Sequence, residues 1–192
     1  MPFGVFVDPL RAEAELIERA KTDPDAFGEL YEKYIERIYN YVYFRVGSVH
    51  DAEDLTARVF LKALNNLNRY RFVGLPFSAW LYRIAHNLIA NHHRDQSRRR
   101  EIPIEDMAVV NIPARLPAID ASMGRAQEAE ALWKMINDLS PQKRELILLK
   151  FVEKLSNSEI AAVLNKSESA IKSLYHRTLL EMREQIDRAD FD

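Results

Sequence analysis

The sequence predicts an all-α protein built from two small helical domains that a flexible linker joins. Apolar residues recur at helical spacing along several stretches, and no stretch alternates apolar and polar residues as a half-buried β-strand does. Only five of the 192 residues are glycine, and dipeptides typical of turns are few. Residues 101–124 contain three prolines and no sustained period. We therefore expect domains at residues 1–100 and 125–192, with residues 101–124 as the linker.

The composition excludes several classes of protein. The chain has no cysteine, which excludes disulfides, thiol catalysis and cysteine-rich zinc sites. The five histidines lack zinc-type spacing, so we expect neither a metal nor a cofactor. No apolar stretch reaches the roughly 18 residues of a spanning helix, and residues 1–10 do not resemble a signal peptide. We expect a cytoplasmic protein without membrane insertion.

The first predicted helix begins at Asp23 and Pro24, which suit an N-cap and a first helical position. Its apolar stripe is Phe27, Leu30, Tyr31, Tyr34, Ile35, Ile38, Tyr41 and Val42. A second helix begins at Ser48, which forms a capping pattern with Asp51. Its inner stripe is Ala52, Leu55, Val59, Ala63 and Leu67.

The outer face of the second helix has an unusual composition. At 100° per residue, Asp54, Ala57, Arg58 and Leu61 project away from the inner stripe. An apolar Leu61 therefore lies among charged side chains. A single exposed leucine is common and needs no explanation, whereas a docking patch of about one helix width would also produce this pattern.

A basic block with interleaved aromatic residues follows. Residues 69–100 contain seven arginines and a single acidic residue, Asp95. The aromatic residues among them are Tyr70, Phe72, Phe77, Trp80 and Tyr82. A basic block is often only a solvated face, but cations beside aromatic rings are typical of proteins that bind single-stranded nucleic acid.

A third helix is predicted from about Phe77 to His93. Its inward residues are Phe77, Leu81, Ile84 and Leu88. This register places Tyr82, His86 and His93 opposite the core, with Arg83 and Asn87 along one flank.

Beyond the linker, the sequence predicts four more helices. The first has the stripe Ala126, Ala129, Leu132, Trp133, Ile136 and Leu139, and Ser140 with Pro141 begins the next, which runs to about Val152. Residues 156–159 form a capping box that opens a short helix through Leu164. Asn165 tolerates a left-handed turn, and Ser167 can cap the last helix.

The last two helices are predicted to form a helix-turn-helix with a polar recognition face. In the last helix Ile171, Leu174 and Thr178 share one face. The opposite face carries Ser169, Lys172, Ser173, His176 and Arg177. Short donors and longer cations on one exposed face suit contacts with base edges and phosphates in a major groove. An ordinary helical hairpin with a solvated face is the alternative.

Five stretches together resemble conserved regions 2 and 4 of the sigma-70 family of bacterial RNA polymerase sigma factors, most closely the extracytoplasmic-function (ECF) type. The stretches are Asp25-Ala-Phe-Gly-Glu-Leu-Tyr31, Asp51-Ala-Glu-Asp-Leu-Thr56, Phe77-Ser-Ala-Trp-Leu-Tyr-Arg-Ile-Ala-His-Asn87, Leu155-Ser-Asn-Ser-Glu-Ile-Ala161 and Ile171-Lys-Ser173. The resemblance covers about residues 10–100 and 125–187 in matching order.

The resemblance implies a role for each unusual feature. The helix at residues 51–67 would dock on the clamp helices of the largest subunit of core RNA polymerase, through Asp54, Ala57, Arg58 and Leu61. The following block would capture single-stranded bases of the −10 element, through Arg69, Arg71, Phe72, Tyr82, Arg83 and Asn87. The recognition face, Ser169, Lys172, Ser173, His176 and Arg177, would read the −35 element as duplex DNA.

The resemblance also implies partners, and this chain departs from the family at two positions of the second helix. Core RNA polymerase and promoter DNA, duplex and single-stranded, are the expected partners, and an anti-sigma factor is a further one that the family allows. Family members commonly carry glutamine and an acidic residue where this chain has Ala57 and Arg58, so the polymerase contact is altered or carried by neighbours. A stand-alone helix-turn-helix regulator is the alternative function, and no catalytic constellation supports an enzyme.

Overall fold

The computed structural model describes residues 9–99 and 132–189, and regular structure within these ranges is helical. The helices are α1 (Pro9–Ala20), α2 (Pro24–Val46), α3 (Val49–Asn66), α4 (Phe77–Arg99), α5 (residues 132–138), α6 (Pro141–Ile147), α7 (Asn157–Leu164) and α8 (Glu168–Ala189). A 3₁₀ turn, Leu67–Arg69, follows α3, and a π-helical turn, Leu148–Val152, follows α6. The all-α prediction is confirmed. The predicted linker, residues 101–124, and the stripe residues Ala126 and Ala129 lie outside the described residues.

The described residues form two compact units. The first contains residues 9–43 and 48–99, and the second contains residues 44–47 and 132–189. Within these described ranges, no helix combines the length and the apolar character that crossing a membrane requires.

Local capping signals begin α2 and α3 where the sequence predicts them. α2 begins at Pro24, and the Asp23 side chain accepts a hydrogen bond from the Asp25 backbone N–H at 3.0 Å. Ser48 is the N-cap of α3, and its Oγ accepts from the Asp51 N–H at 3.3 Å. Both starts are confirmed. α1 precedes the first helix that the sequence analysis predicted.

The core of the first unit is assembled from all four of its helices. The whole inner stripe predicted for α3 is buried: Ala52, Leu55, Val59, Ala63 and Leu67. From α2, the stripe residues Leu30, Tyr34, Ile38, Tyr41 and Val42 are buried, Phe27 and Ile35 are half-buried, and Tyr31 is exposed. Ile17 and Ala20 of α1 complete the core.

α4 differs from its prediction in length and in its buried arc. It continues past His93 to Arg99. Tyr82, predicted to lie opposite the core, is 0% exposed. α4 packs against α3, and the Tyr82 ring also meets the Tyr41 ring of α2 edge-on, with centroids 5.1 Å apart. Because two helices cover α4, its buried arc is wider than one stripe, and the prediction for Tyr82 is wrong.

In the second unit, α5, α6 and the residue that follows each of them supply a compact apolar cluster. Trp133, Ile136 and Leu139 are buried with Ile147 and Leu148, whereas Leu132 of the same predicted stripe is exposed. α6 begins at Pro141 after Ser140 as predicted, but the Ser140 side chain makes no capping hydrogen bond. The α-helical part ends at Ile147, and the π-helical turn continues the chain to Val152. The predicted helix therefore has the expected extent and a different final turn.

α7, the turn and α8 form the predicted helix-turn-helix. Ser156 and Glu159 make both hydrogen bonds of the capping box. Asn165 ends α7 in the left-handed conformation, with φ 52°, which asparagine tolerates better than most residues. Ser167 Oγ accepts from the Ala170 N–H at 3.2 Å. The side of α8 with Ile171, Leu174 and Thr178 is buried, as predicted.

Candidate functional site

The predicted recognition face of α8 is exposed. Every member of the predicted set is open to solvent: Ser169, Lys172, Ser173, His176 and Arg177. They lie opposite the buried side of the helix, so packing fixes the direction in which this face points. The structure thereby confirms the register of the helix and its outward face.

The charged side chains on this face are held by weak local contacts. Lys172 Nζ lies 2.8 Å from the carboxylate of Glu168, one turn earlier, and both side chains are largely solvated. Arg177 Nε donates to the Ser173 carbonyl at 3.3 Å. An exposed ion pair contributes about 0–1 kcal/mol. Lys172 can therefore exchange its carboxylate partner for a phosphate or a base edge at small cost.

The aromatic residues of the basic block, residues 69–100, fall into two groups. Tyr70, Phe77 and Trp80 form one cluster, with centroid distances of 4.8 to 5.4 Å. Burial and the nearby Glu13 carboxylate raise the pKa of Tyr70 to about 12, so its hydroxyl stays neutral. This cluster anchors both ends of the loop at residues 71–76.

Phe72 is the aromatic residue of this loop that faces solvent. Its side chain is 41% exposed, and Val73 beside it is exposed as well. Gly74 follows with φ 77°, a conformation that side chains with a Cβ rarely adopt. The turn at Gly74 lets the loop project its apolar residues outward.

The residues predicted to contact the −10 element also divide into exposed and buried ones. Arg69, Arg71, Arg83 and Asn87 are exposed. Arg83 and Asn87 lie one turn apart on the outer face of α4, after the loop that carries Phe72. Tyr82 is buried against Tyr41, so it cannot stack on a base while the core is intact. Tyr82 is therefore a core residue and not a candidate for base stacking.

A buried carboxylate, which the sequence analysis missed, positions the start of α4. Glu13 of α1 is 6% exposed. Its Oε1 accepts hydrogen bonds from Tyr34 Oη and from Lys33 Nζ, the latter at 2.7 Å. Its Oε2 accepts from the backbone N–H of Phe77 at 2.9 Å. One side chain thus joins α1, α2 and the first turn of α4.

The ionised form of Glu13 is the stable one in the fold. Burial raises the pKa of this carboxyl, but the hydrogen bonds from its three donors outweigh burial and hold the pKa below its ordinary value. The negative charge also lies at a helix N-terminus, where it is favoured. A sequence signal existed, because Glu13 occupies the same helical stripe as Ile17 and Ala20.

The outer face of α3 carries an apolar patch between charges. Asp54, Ala57, Arg58 and Leu61 are all exposed, as the spacing predicted. Arg58 and Asp54 form an ion pair at 3.4 Å, while Leu61 is 59% exposed. Leu64, one turn further and missed by the sequence analysis, is 47% exposed. Two leucines one turn apart form a patch that a partner helix can cover.

Comparisons with known protein families match both units. The Sigma-70 region 2 model matches residues 30–99, and the Sigma-70 region 4 model matches residues 129–182. The ECF RNA polymerase sigma factor BldN of Streptomyces coelicolor is 39% identical over 166 residues, which are 86% of this chain and 62% of that protein. The chain thus spans less than two thirds of the length of this relative.

A further relative and two solved structures are similar over most of the chain. SigD of Mycobacterium bovis, also an ECF RNA polymerase sigma factor, is 31% identical and shares 92% of this chain and 84% of its own length. The structure of CnrH with the cytosolic domain of CnrY has a TM-score of 0.65 at 21% identity, covering 92% of this chain and 98% of that one. Sigma factor RpoE from Bartonella quintana, crystallised with the anti-sigma factor NepR, has a TM-score of 0.64 at 22% identity, covering 84% and 96%. These two structures support the fold, and the sequence matches show that this chain belongs to the sigma-70 family, among its extracytoplasmic-function sigma factors.

Proposed function

We propose that this protein is the promoter-specificity subunit of a bacterial RNA polymerase. It binds the core enzyme in the cytoplasm, directs it to −10 and −35 elements, helps to open the DNA and has no catalytic activity of its own. Residues 1–100 carry polymerase docking and the −10 contacts, residues 125–192 carry the −35 contacts, and residues 101–124 link them. An anti-sigma factor that covers the leucines of α3 is the further partner that we propose.

The exposed Leu61 on α3 is the observation that carries this proposal. A helix-turn-helix such as α7 and α8 serves both sigma factors and stand-alone regulators. A regulator, however, has no need of a solvated leucine pair on a separate unit. Leu61 and Leu64 beside the Asp54–Arg58 ion pair form a mixed apolar and charged surface suited to a large protein partner.

In vitro transcription with core polymerase tests the function directly. We expect initiation from particular members of a promoter library only when both the core enzyme and this protein are present. A stand-alone regulator would instead bind a duplex site tightly without the core enzyme and would not restore initiation. That result would overturn the proposal.

The exposed Phe72 leads to a prediction about DNA opening. We expect Phe72→Ala to bind core polymerase normally but to reduce open-complex formation, because the loss of a base stack costs about 1–3 kcal/mol. Permanganate reactivity of unpaired thymines measures this. The matched control is Val73→Ala, which shortens an adjacent exposed apolar side chain without removing a ring. Equal losses in the two variants would argue against stacking.

The face of α8 leads to a prediction about sequence preference. Lys172→Ala should relax the preference at one −35 position and cost about 1–3 kcal/mol if the lysine contacts a base. A phosphate contact would instead weaken all promoters alike and reduce the salt slope by about one. His176→Ala should act in the same region, since His176 lies one turn from Lys172.

Transcription from a −35 library by wild type and variants distinguishes these outcomes. Lys134→Ala is the control, because it removes the same charge from an exposed position of α5 outside the recognition face. Unchanged −35 preference in both Lys172→Ala and His176→Ala would show that this face does not read sequence.

A further inference from the structure

We propose that the cleft between α2 and α3 receives an arginine side chain from the core RNA polymerase. The inference rests on the polymerase docking proposed above and names the chemistry of one contact within it. The cleft has a volume of about 340 Å³. It includes Ala57 in its lining, so it is continuous with the α3 surface that carries Leu61.

Aromatic rings form the α2 side of the cleft. Tyr31 and Tyr39 line it from positions two turns apart on α2. Tyr31 packs edge-on against Phe60 with centroids 4.8 Å apart, and Tyr39 stacks on Tyr43 at 6.0 Å with an angle of 6° between planes. These contacts hold both tyrosines in place while Tyr31 remains exposed. Fixed aromatic faces attract cations and the methylene groups that carry them.

The charges at the cleft are negative and unpaired. Glu36 of α2 and Glu53 of α3 both line it, and both are exposed. Neither carboxylate has a hydrogen-bond or ion-pair partner among the described residues. The nearby Arg58 is paired with Asp54 instead. The complementary ligand is therefore a cation.

A buried hydroxyl is a second, independent sign of a ligand. Thr56 lines the same cleft, is 3% exposed, and its Oγ forms no hydrogen bond within the described part of the chain. An unpaired buried polar atom is costly. A donor that reaches this oxygen from the cleft would satisfy it.

Arginine fits this combination better than lysine does. Its planar guanidinium can stack on a tyrosine face while its five N–H groups reach several acceptors at once. Here the acceptors are the carboxylates of Glu36 and Glu53 and the hydroxyl of Thr56. Because Leu61 lies one turn beyond Ala57 on α3, a helix covering the leucine would carry the arginine to the cleft.

Binding of the full-length protein to bacterial core polymerase tests this. We expect Glu36→Gln with Glu53→Gln to raise the dissociation constant about tenfold, because truncating a charged interface pair is costly, and to reduce its salt dependence. The control is Glu18→Gln with Glu29→Gln. It makes the same charge change at exposed acids of the first unit that do not line the cleft. We expect the control to remain within about twofold of wild type.

Thr56→Val separates binding from folding. The substitution removes the unpaired hydroxyl while keeping the side-chain shape, so the free protein should be at least as stable as wild type. Binding to core polymerase should nevertheless weaken several-fold. A residue with a purely structural role is not expected to weaken binding when its substitution leaves stability unchanged or higher.

The outcomes distinguish the cleft from the docking surface as a whole. If Leu61→Asp weakens binding but the Glu36 and Glu53 variant binds like wild type, the docking proposal stands and the cleft inference is overturned. An equal loss in the Glu18 and Glu29 control would also overturn it, because the effect would then be one of net charge. If the wild type does not bind core polymerase, the proposed function itself fails.

Discussion

Glu13→Ala is expected to destabilise the first unit more than any other substitution considered for this protein. The variant leaves the Tyr34 hydroxyl and the Phe77 backbone N–H without their acceptor, and both residues are buried. Each unpaired buried donor costs about 1–3 kcal/mol. The start of α4 should loosen, and with it the loop that carries Phe72. DNA opening should therefore fall together with stability.

Tryptophan fluorescence can report this change from the first unit alone. The chain has two tryptophans. The ring centroids of Trp80 and Phe77 lie 5.3 Å apart. In a Trp133→Phe background, Trp80 is the only remaining tryptophan. The denaturation midpoint that its fluorescence reports should be lower when Glu13→Ala is added. Glu13→Gln retains an acceptor oxygen and should lose less. Glu15→Ala, which removes an exposed carboxylate from the same helix, is the control. A midpoint unchanged by Glu13→Ala would contradict the role assigned to this carboxylate.

The same carboxylate leads to an expected pH dependence. Its pKa in the fold lies below the ordinary value of 4.5. The folded state therefore binds this proton less readily than the unfolded state does, and ionised Glu13 contributes stability above that ordinary value. The contribution is lost as pH falls through the lowered pKa. In Glu13→Gln this part of the acid dependence should disappear, which denaturation of both proteins across acidic pH would show.

Leu61→Asp is expected to weaken binding to core polymerase by about 1–3 kcal/mol, or about 5- to 150-fold in the dissociation constant. The substitution places a charge in an apolar contact, where desolvation is costly. Because Leu61 is largely exposed in the free protein, folding should be unaffected. Co-purification and fluorescence anisotropy with labelled protein measure the loss.

Val49→Asp is the matched control for this prediction. Val49 is also an exposed apolar residue of α3, 54% accessible, and it lies at the other end of the helix. It receives the same new charge outside the proposed docking surface. Equal weakening by Leu61→Asp and Val49→Asp would indicate a general charge effect. Normal binding by Leu61→Asp would show that the docking face lies elsewhere.

Local sequence determined most of the helices and caps and the direction of most faces. Ser48, Ser156 and Asn165 take their roles from hydrogen bonds and dihedral angles within a few residues. The 3.6-residue period in α3 and α8 likewise places the buried and the exposed residues on opposite sides without reference to distant parts of the chain. The exposed set on α8 and the leucine on α3 followed from that period alone.

Tertiary packing decided the features that depend on distant residues. Tyr82 is buried because α4 lies against both α3 and α2, and a helical period cannot tell how many neighbours cover a helix. Glu13 acts on Phe77 from 64 positions away along the chain. The cleft exists because Glu36 and Glu53 belong to separate helices brought together in the fold. Burial and pairing are properties of the space around a side chain, which contacts between elements define and local periodicity does not.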